Sequence, residues 1–269
     1  MSLLKDRVVR HSPSTGANSP DVWGIYEPDT GSIQYVCADP ATKQAALIDV
    51  VWNLDPKHYR FSTGSMDQVL ALVAEQGLTV AWVLDTHPHA DHVMASAQLG
   101  RRTGAPTAIG DRVGDIARIW AGLYNLPQAF DPARDFDRLL APGETIALGD
   151  LSIRVMLSPG HTLGSVTYVC GDAAFTHDTL MQPDAGTSRA DFPGGDSGQL
   201  WASIQEILSL PGDTRLFVGH DYGTKDRDAP QWEATVARHR AENRHVRDGT
   251  RREDWIALRD ARDATLPLP

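Results

Sequence analysis

Three of the ten histidines fall inside six residues, His87-Pro88-His89-Ala90-Asp91-His92, with a carboxylate between them. Imidazoles and carboxylates are the side chains that hold transition-metal ions, and a compact set of them is suited to building one centre. In an extended segment side chains alternate with period two, so His87 and His89 point to the same side and can reach one ion. Asp91 and His92 are expected to begin a following helix and to project to a neighbouring point. There they can serve a second ion or hydrogen-bond the ligands of the first.

Three more places repeat the rhythm of a strand finishing on a metal-binding side chain. They are Ser158-Pro159-Gly160-His161-Thr162, Phe175-Thr176-His177-Asp178-Thr179 and Leu216-Phe217-Val218-Gly219-His220-Asp221-Tyr222. Taken singly, a histidine after Pro-Gly is a turn residue and an aspartate at a strand end is a turn former or cap. Taken together, four strand ends deliver His or Asp, and in layered sheet proteins such ends gather at one edge.

The elements that must position these residues read in two similar runs. Ile33–Ala38 and Gln44–Val50 form paired strands, followed by a helix with Met66, Val69, Leu70 and Val73 on one face, a capping box Ser65…Gln68 and Gly77 as its stop. The strand Thr79–Leu84 leads into the histidine run, and Val93–Gly100 is expected to continue it as a helix. The second run has strands near 144–148, 153–157, 165–169 and 174–176, a helix over about 197–209, and a strand Arg215–Val218. Two helices close the chain, one opening at Pro230 and one with the capping box Thr250…Glu253. The polar, Pro/Ser-rich start before Ile33 suggests no element. The plan is one domain over 1–269 with a short helical extension at about 230–269, in the α/β (α+β) class, with two packed sheets flanked by helices.

Composition narrows the setting. Apolar residues at 41% and charged residues at 22% fit a globular fold, and no apolar run approaches the ~18 residues of a membrane span. The start Met1-Ser2-Leu3-Leu4-Lys5-Asp6 lacks an apolar leader core, so a cytoplasmic protein is expected. A net charge of −10 argues against nonspecific binding to nucleic acid or to an anionic membrane. The basic stretch Arg238–Arg252 is interleaved with acids and reads as a solvated face. Cys37 and Cys170 sit in apolar strands and read as buried thiols rather than a disulfide.

The elements Thr86–His92, Pro159-Gly160-His161-Thr162, Asp178 and Gly219-His220-Asp221-Tyr222, in this order, resemble the metallo-β-lactamase superfamily from about Ile33 to Asn243. That resemblance implies a four-layer αββα sandwich. The stretch Gly186–Gly195 followed by His220-Asp221-Tyr222 is most similar to the persulfide dioxygenase branch, related to glyoxalase II. The resemblance implies oxidation of glutathione persulfide by O2 to sulfite and glutathione, with one Fe(II) per chain held by His87, His161 and Asp178. Two histidines and a carboxylate with open positions are indeed what a non-haem Fe(II) oxygenase uses. It further implies that His89, Asp91, His92 and His220 orient those ligands, that Arg189, Tyr222 and Arg240 contact glutathione, and that the protein is a homodimer. Guanidinium groups suit a tripeptide's carboxylates. The chain departs from the family pattern at Pro88, commonly Cys, at His177, commonly Gly, and over Met181–Ala185.

The alternative is a dinuclear hydrolase of glutathione thioesters, with two Zn(II) or a mixed centre. There His87, His89, His161 and Asp178 would hold one ion and Asp91, His92, Asp178 and His220 the other, with a bridging hydroxide as nucleophile. The ligand inventory serves both readings, whereas the forty or so residues after Pro230 are fewer than such hydrolases carry. An exported β-lactamase, a nuclease with an added domain and a non-catalytic metal or sulfide sensor fit less well.

Overall fold

The computed structural model describes residues 8–267; the Met1–Asp6 segment read above for a leader lies outside them. The first half runs β1 (Val9–Ser12), β2 (Asp21–Glu27), β3 (Ser32–Ala38), β4 (Gln44–Ile48), β5 (Val51–Asp55), β6 (Arg60–Ser62), α1 (Gly64–Glu75), β7 (Thr79–Asp85), β8 (Val93–Met94), α2 (Ser96–Thr103), β9 (Thr107–Gly110), α3 (Val113–Leu123), α4 (Pro132–Asp135) and β10 (Arg138–Leu140). The second half runs β11 (Thr145–Leu148), β12 (Leu151–Leu157), β13 (Val166–Cys170), β14 (Ala173–His177), α5 (Ser197–Leu208), β15 (Arg215–Val218), β16 (Glu233–Thr235), α6 (Val236–Glu242) and α7 (Arg252–Asp263).

Two large sheets result, ordered β1-β2-β3-β4-β7-β9-β10 and β11-β12-β13-β14-β15-β16, with a small sheet β6-β5-β8 beside the first. Strands buried on both faces read as continuous apolar runs, and β3, β13, β14 and β15 are buried throughout. One core lies between the sheets. Its centre is the aromatic set Tyr35, Phe175 and Phe217, with ring centroids 5.3–5.6 Å apart. A second core packs Met66, Val69 and Leu72 of α1 and Leu99 of α2 on the outer face of the first sheet. Trp255 of α7 and Ile204 and Ile207 of α5 cover the second sheet. The four layers are α, β, β, α.

Two buried tyrosines tie the sheets together where the site begins. Tyr168 of β13 donates to the Asp85 carbonyl at 2.8 Å, and Tyr35 of β3 donates to the Val218 carbonyl. A buried phenol must find such an acceptor, and each bond clamps a strand end that leads into a histidine.

Several expectations need correction. Residues 9–12 and 21–27 form strands: β2 supplies the buried Val22 and Ile25, so tertiary burial outweighs the Pro/Ser composition. Asp91 and His92 lie in a bend before the two-residue strand β8, and the helix begins only at Ser96, because Val51 and Trp52 of β5 capture Met94 and Val93 as strand partners. Pro230 opens no helix: Glu233–Thr235 pairs with β15, and α6 starts after Thr235, whose side chain caps Arg238 N. The N-caps of α1 and α7 are Thr63 and Arg251, two positions before Ser65 and one after Thr250, and neither side chain makes a capping bond.

Candidate metal centre

Strand polarity explains why the chemistry collects. β12 and β14 are each antiparallel to β13, and β14 is parallel to β15, so all three run the same way and end on one edge. They carry His161, Asp178 and His220 there. In the other sheet β4 and β7 are parallel, and their ends carry Asp49 and the His87–His92 run to the facing edge.

At this edge each ligand's outer nitrogen is held from behind, which fixes the nitrogen turned inward. Thr86 Oγ1 donates to Asp49 Oδ2 at 3.0 Å and therefore accepts from His87 Nδ1 at 3.1 Å, leaving the Nε2 lone pair free. His161 Nδ1 meets the Arg189 carbonyl at 2.9 Å, which only accepts, so its Nε2 is likewise unprotonated. His89 Nε2 lies 3.2 Å from Asp49 Oδ1, so its lone pair is on Nδ1, a buried atom with no hydrogen-bond partner. The bonds that set a tautomer in this way are those that orient metal-binding imidazoles.

His87 Nε2 and His161 Nε2 face Asp178 Oδ2 at 3.7 and 3.6 Å. Donors about 2.1 Å from one ion stand roughly 3–3.6 Å apart, so the carboxylate oxygen lies near the spacing at which it could share an ion with either imidazole. Among the described residues, the donors whose ligand atoms all lie within 4.8 Å of one another include His87 and Asp178 but not His161. Burial first, then the neighbouring imidazoles, holds His87 and His89 well below the usual histidine range, in the neutral form that binds metal. Burial alone would raise Asp178, but the charges of His220 and His177 and the hydrogen bond from His220 outweigh it and keep the carboxylate ionised.

The other side of the cluster is differently satisfied. His220 lies between two carboxylates, with Nδ1 2.7 Å from Asp178 Oδ1 and Nε2 2.8 Å from Asp91 Oδ2. Burial opposes its charge, but the two carboxylates win and push it up to about 10. Asp91 Oδ2 also meets His92 Nδ1 at 3.0 Å, and Ser32 Oγ joins His220 and His92 at 3.0 and 3.2 Å. His92 Nε2 is buried without a partner, and His89, Asp91 and His92 can bring ligand atoms within 4.8 Å of one another.

The loop that anchors His161 is braced by the last helix. Arg259 and Asp263 of α7 form a buried ion pair; Arg259 donates to the Thr187 carbonyl at 3.2 Å and Asp263 accepts from Ala190 N at 2.9 Å. Between these two contacts lie Ser188, which bonds the Asp178 carbonyl, and Arg189, whose carbonyl orients His161. His245 and Asn243 hold the same loop through Thr187 N and the Gly186 carbonyl, at 3.1 and 3.0 Å.

The residues expected at the substrate are dispersed. Tyr222 is 68% exposed and stacks on His220 with centroids 5.5 Å apart. Arg189 is gripped bidentately by Asp191 at 2.6 and 2.7 Å and donates to the Pro267 carbonyl at 2.8 Å. Arg240 pairs with Asp248 and lines a separate groove of about 250 Å³ with Trp201 and Val246, sharing no residue with the histidine cluster. Sequence reasoning missed Asp49, Ser32, Arg259 and Asp263 and gave His177 no role. Asp49 carried a readable signal: like the others, it is a carboxylate at the end of an apolar strand.

The Metallo-beta-lactamase superfamily model matches residues 34–220, the stretch that carries every ligand candidate. The chain belongs to this superfamily. It is similar to the Beta-lactamase hydrolase-like protein of Xylella fastidiosa (strain Temecula1), 53% identical over 93% of this chain and 58% of the relative, so it spans less than two thirds of that protein. Glyoxylase B2 of Dictyostelium discoideum is 36% identical over 93% of this chain and 85% of its own. ETHE1 matches in both sequence and structure. The mitochondrial persulfide dioxygenase ETHE1 of Bos taurus is 30% identical over 82% of this chain and 76% of its own, and the crystal structure of ETHE1 from Myxococcus xanthus superposes with a TM-score of 0.71 at 30% identity, covering 91% and 92% of the two chains. These matches support the superfamily branch related to glyoxalase II. No helix among the described residues is long and apolar enough to cross a membrane.

Proposed function

We propose that this metallo-β-lactamase-fold protein is an Fe(II)-dependent persulfide dioxygenase that converts glutathione persulfide, O2 and water to glutathione and sulfite. The observation that carries this reading is the division of Asp178: Oδ2 faces His87 and His161, while Oδ1 is taken by His220 Nδ1 at 2.7 Å. A carboxylate used in this way serves one ion, and His87, His161 and Asp178 would hold it as a face of two histidines and one carboxylate. When bound, Fe(II) supplies open coordination positions and the redox chemistry that O2 requires.

The protein's own groups supply the rest. Thr86, Asp49 and the Arg189 carbonyl keep the inner nitrogens of His87 and His161 unprotonated. The His220 imidazolium, between Asp178 and Asp91, places a fixed positive charge beside the reacting sulfur, where it favours a persulfide anion and the anionic product. Tyr222, exposed over His220, gives the glutathione backbone a surface to lie on. Asp191 anchors Arg189 through Nε and NH2, which leaves NH1 to meet a substrate carboxylate.

A dinuclear hydrolase is the second reading, favoured by the free inner nitrogens of His89 and His92 beside Asp91. Two measurements separate them. The iron-loaded protein should take up oxygen when given glutathione persulfide and bind close to one ion per chain. Two ions per chain with thioester hydrolysis and no oxygen uptake would discard the dioxygenase.

A further inference from the structure

Strand β14 ends on His177, which neither reading above employs. Its φ is 42°, in the left-handed region where a side chain other than Gly or Asn costs on the order of 1 kcal/mol. The imidazole is only 3% exposed, and neither ring nitrogen has an aligned hydrogen-bond partner. Each unmade bond of a buried polar group costs about 1–3 kcal/mol, so the sequence tolerates both a strained backbone and an unsatisfied ring at one position. Such positions cluster where a ligand is held.

The surroundings indicate which ligand. The His87 and His89 rings stand 4.7 and 4.6 Å from the His177 ring, centroid to centroid. His177, His87, His89 and Asp178 can each offer one ligand atom such that all four lie within 4.8 Å of one another. His177 Nδ1 is 3.6 Å from Asp178 Oδ1, the oxygen that also meets His220 Nδ1. On the far edge, Nε2 is 3.1 Å from Asp49 Oδ2 without being aligned to hydrogen-bond it, so the ring stands between two carboxylates. Gly219 seals the ring in: a Cβ there would lie 2.6 Å from it.

We propose that His177 is a metal-binding side chain, joining His87, His89 and Asp178 as four donors to a divalent transition-metal cation on the inner side of the centre. The inference rests on the site being a metal centre and not on the dioxygenase chemistry. It makes a centre with three imidazoles and one carboxylate available without Asp91, His92 or His220.

The test uses the full chain loaded with Co(II) alone, as wild type, His177→Gly and His177→Asn. Both replacements accept the left-handed backbone, so the chelator-treated variants should unfold at or above the wild-type midpoint. X-ray absorption of the loaded proteins should count one histidine fewer in each variant, with Co(II) affinity lower by more than about 100-fold in a competition titration, beyond the roughly 10–100-fold typical of a supporting partner. An unchanged histidine count with affinity within twofold of wild type overturns the proposal and leaves the metal centre intact. A wild type that binds no Co(II) removes the metal centre itself.

Discussion

On one side of the cluster His87 and His161 spend their outer nitrogens on Thr86 and the Arg189 carbonyl, acceptors fixed by the scaffold. On the other side Asp91, His92 and His220 hydrogen-bond one another and Ser32, and His220 also bonds Asp178. The residue types are the same; the partners differ. Donors braced from behind already face inward and lose little on taking up an ion. His92 Nε2 is likewise free, but Asp91 and His220 must first give up a charge-assisted hydrogen bond worth about 1.5–3 kcal/mol.

The contrast can be broken most directly at the braced side. His161→Ala or Asp178→Ala should lower metal affinity by more than about 100-fold, since each removes a donor rather than a supporting partner, and metal content after desalting would read it. Retention of a full equivalent by both variants would dismiss His161 and Asp178 as donors.

The brace itself comes next. Asp263→Asn leaves the Arg259 charge buried and loosens the loop that orients His161, with an expected cost of about 3–5 kcal/mol in stability and at least a tenfold loss of metal affinity. Asp172→Asn is the matched control, because it breaks the buried Arg215 pair, which ties residues 12–20 to the second sheet far from the ligands. It should lower the unfolding midpoint and leave metal affinity unchanged. Equal effects on affinity would show that α7 contributes only general stability.

A smaller response is expected from the self-satisfied side. His220→Asn or Asp91→Asn should lower metal affinity by about tenfold, the low end for a partner that supports a ligand, while depressing turnover, as the fixed positive charge is lost. Loss of one of two bound ions would instead favour the dinuclear hydrolase. Smallest is the rim. Tyr222→Ala, at an exposed position, should shift stability by no more than about 0.5 kcal/mol and raise KM for glutathione persulfide with little change in kcat. Arg189→Ala should raise KM more than Arg240→Ala, whose guanidinium lies in the groove beside Trp201.

Much of this was readable beforehand, for reasons that differ along the chain. The strands ending near 84, 157, 176 and 218 announced themselves as apolar runs stopped by Gly, Pro or His, because their burial is a property of local composition. Residues 21–27 and 93–94 did not, since each becomes a strand only through a partner elsewhere in the chain. The same holds for 230–235, where a proline suggested a helix start and an open sheet edge took the segment instead.

Sequence by itself brought the candidate donors His87, His89, Asp91, His92, His161, Asp178 and His220 into view, together with the fold class that assembles them. It left open which nitrogen each histidine presents and which donors have competing partners. Those facts depend on contacts between residues 28 to 73 positions apart, His161 with Arg189, His89 with Asp49 and Ala190 with Asp263. An imidazole's tautomer follows from what stands behind it, and only the folded chain puts Asp49, Arg189 and α7 there.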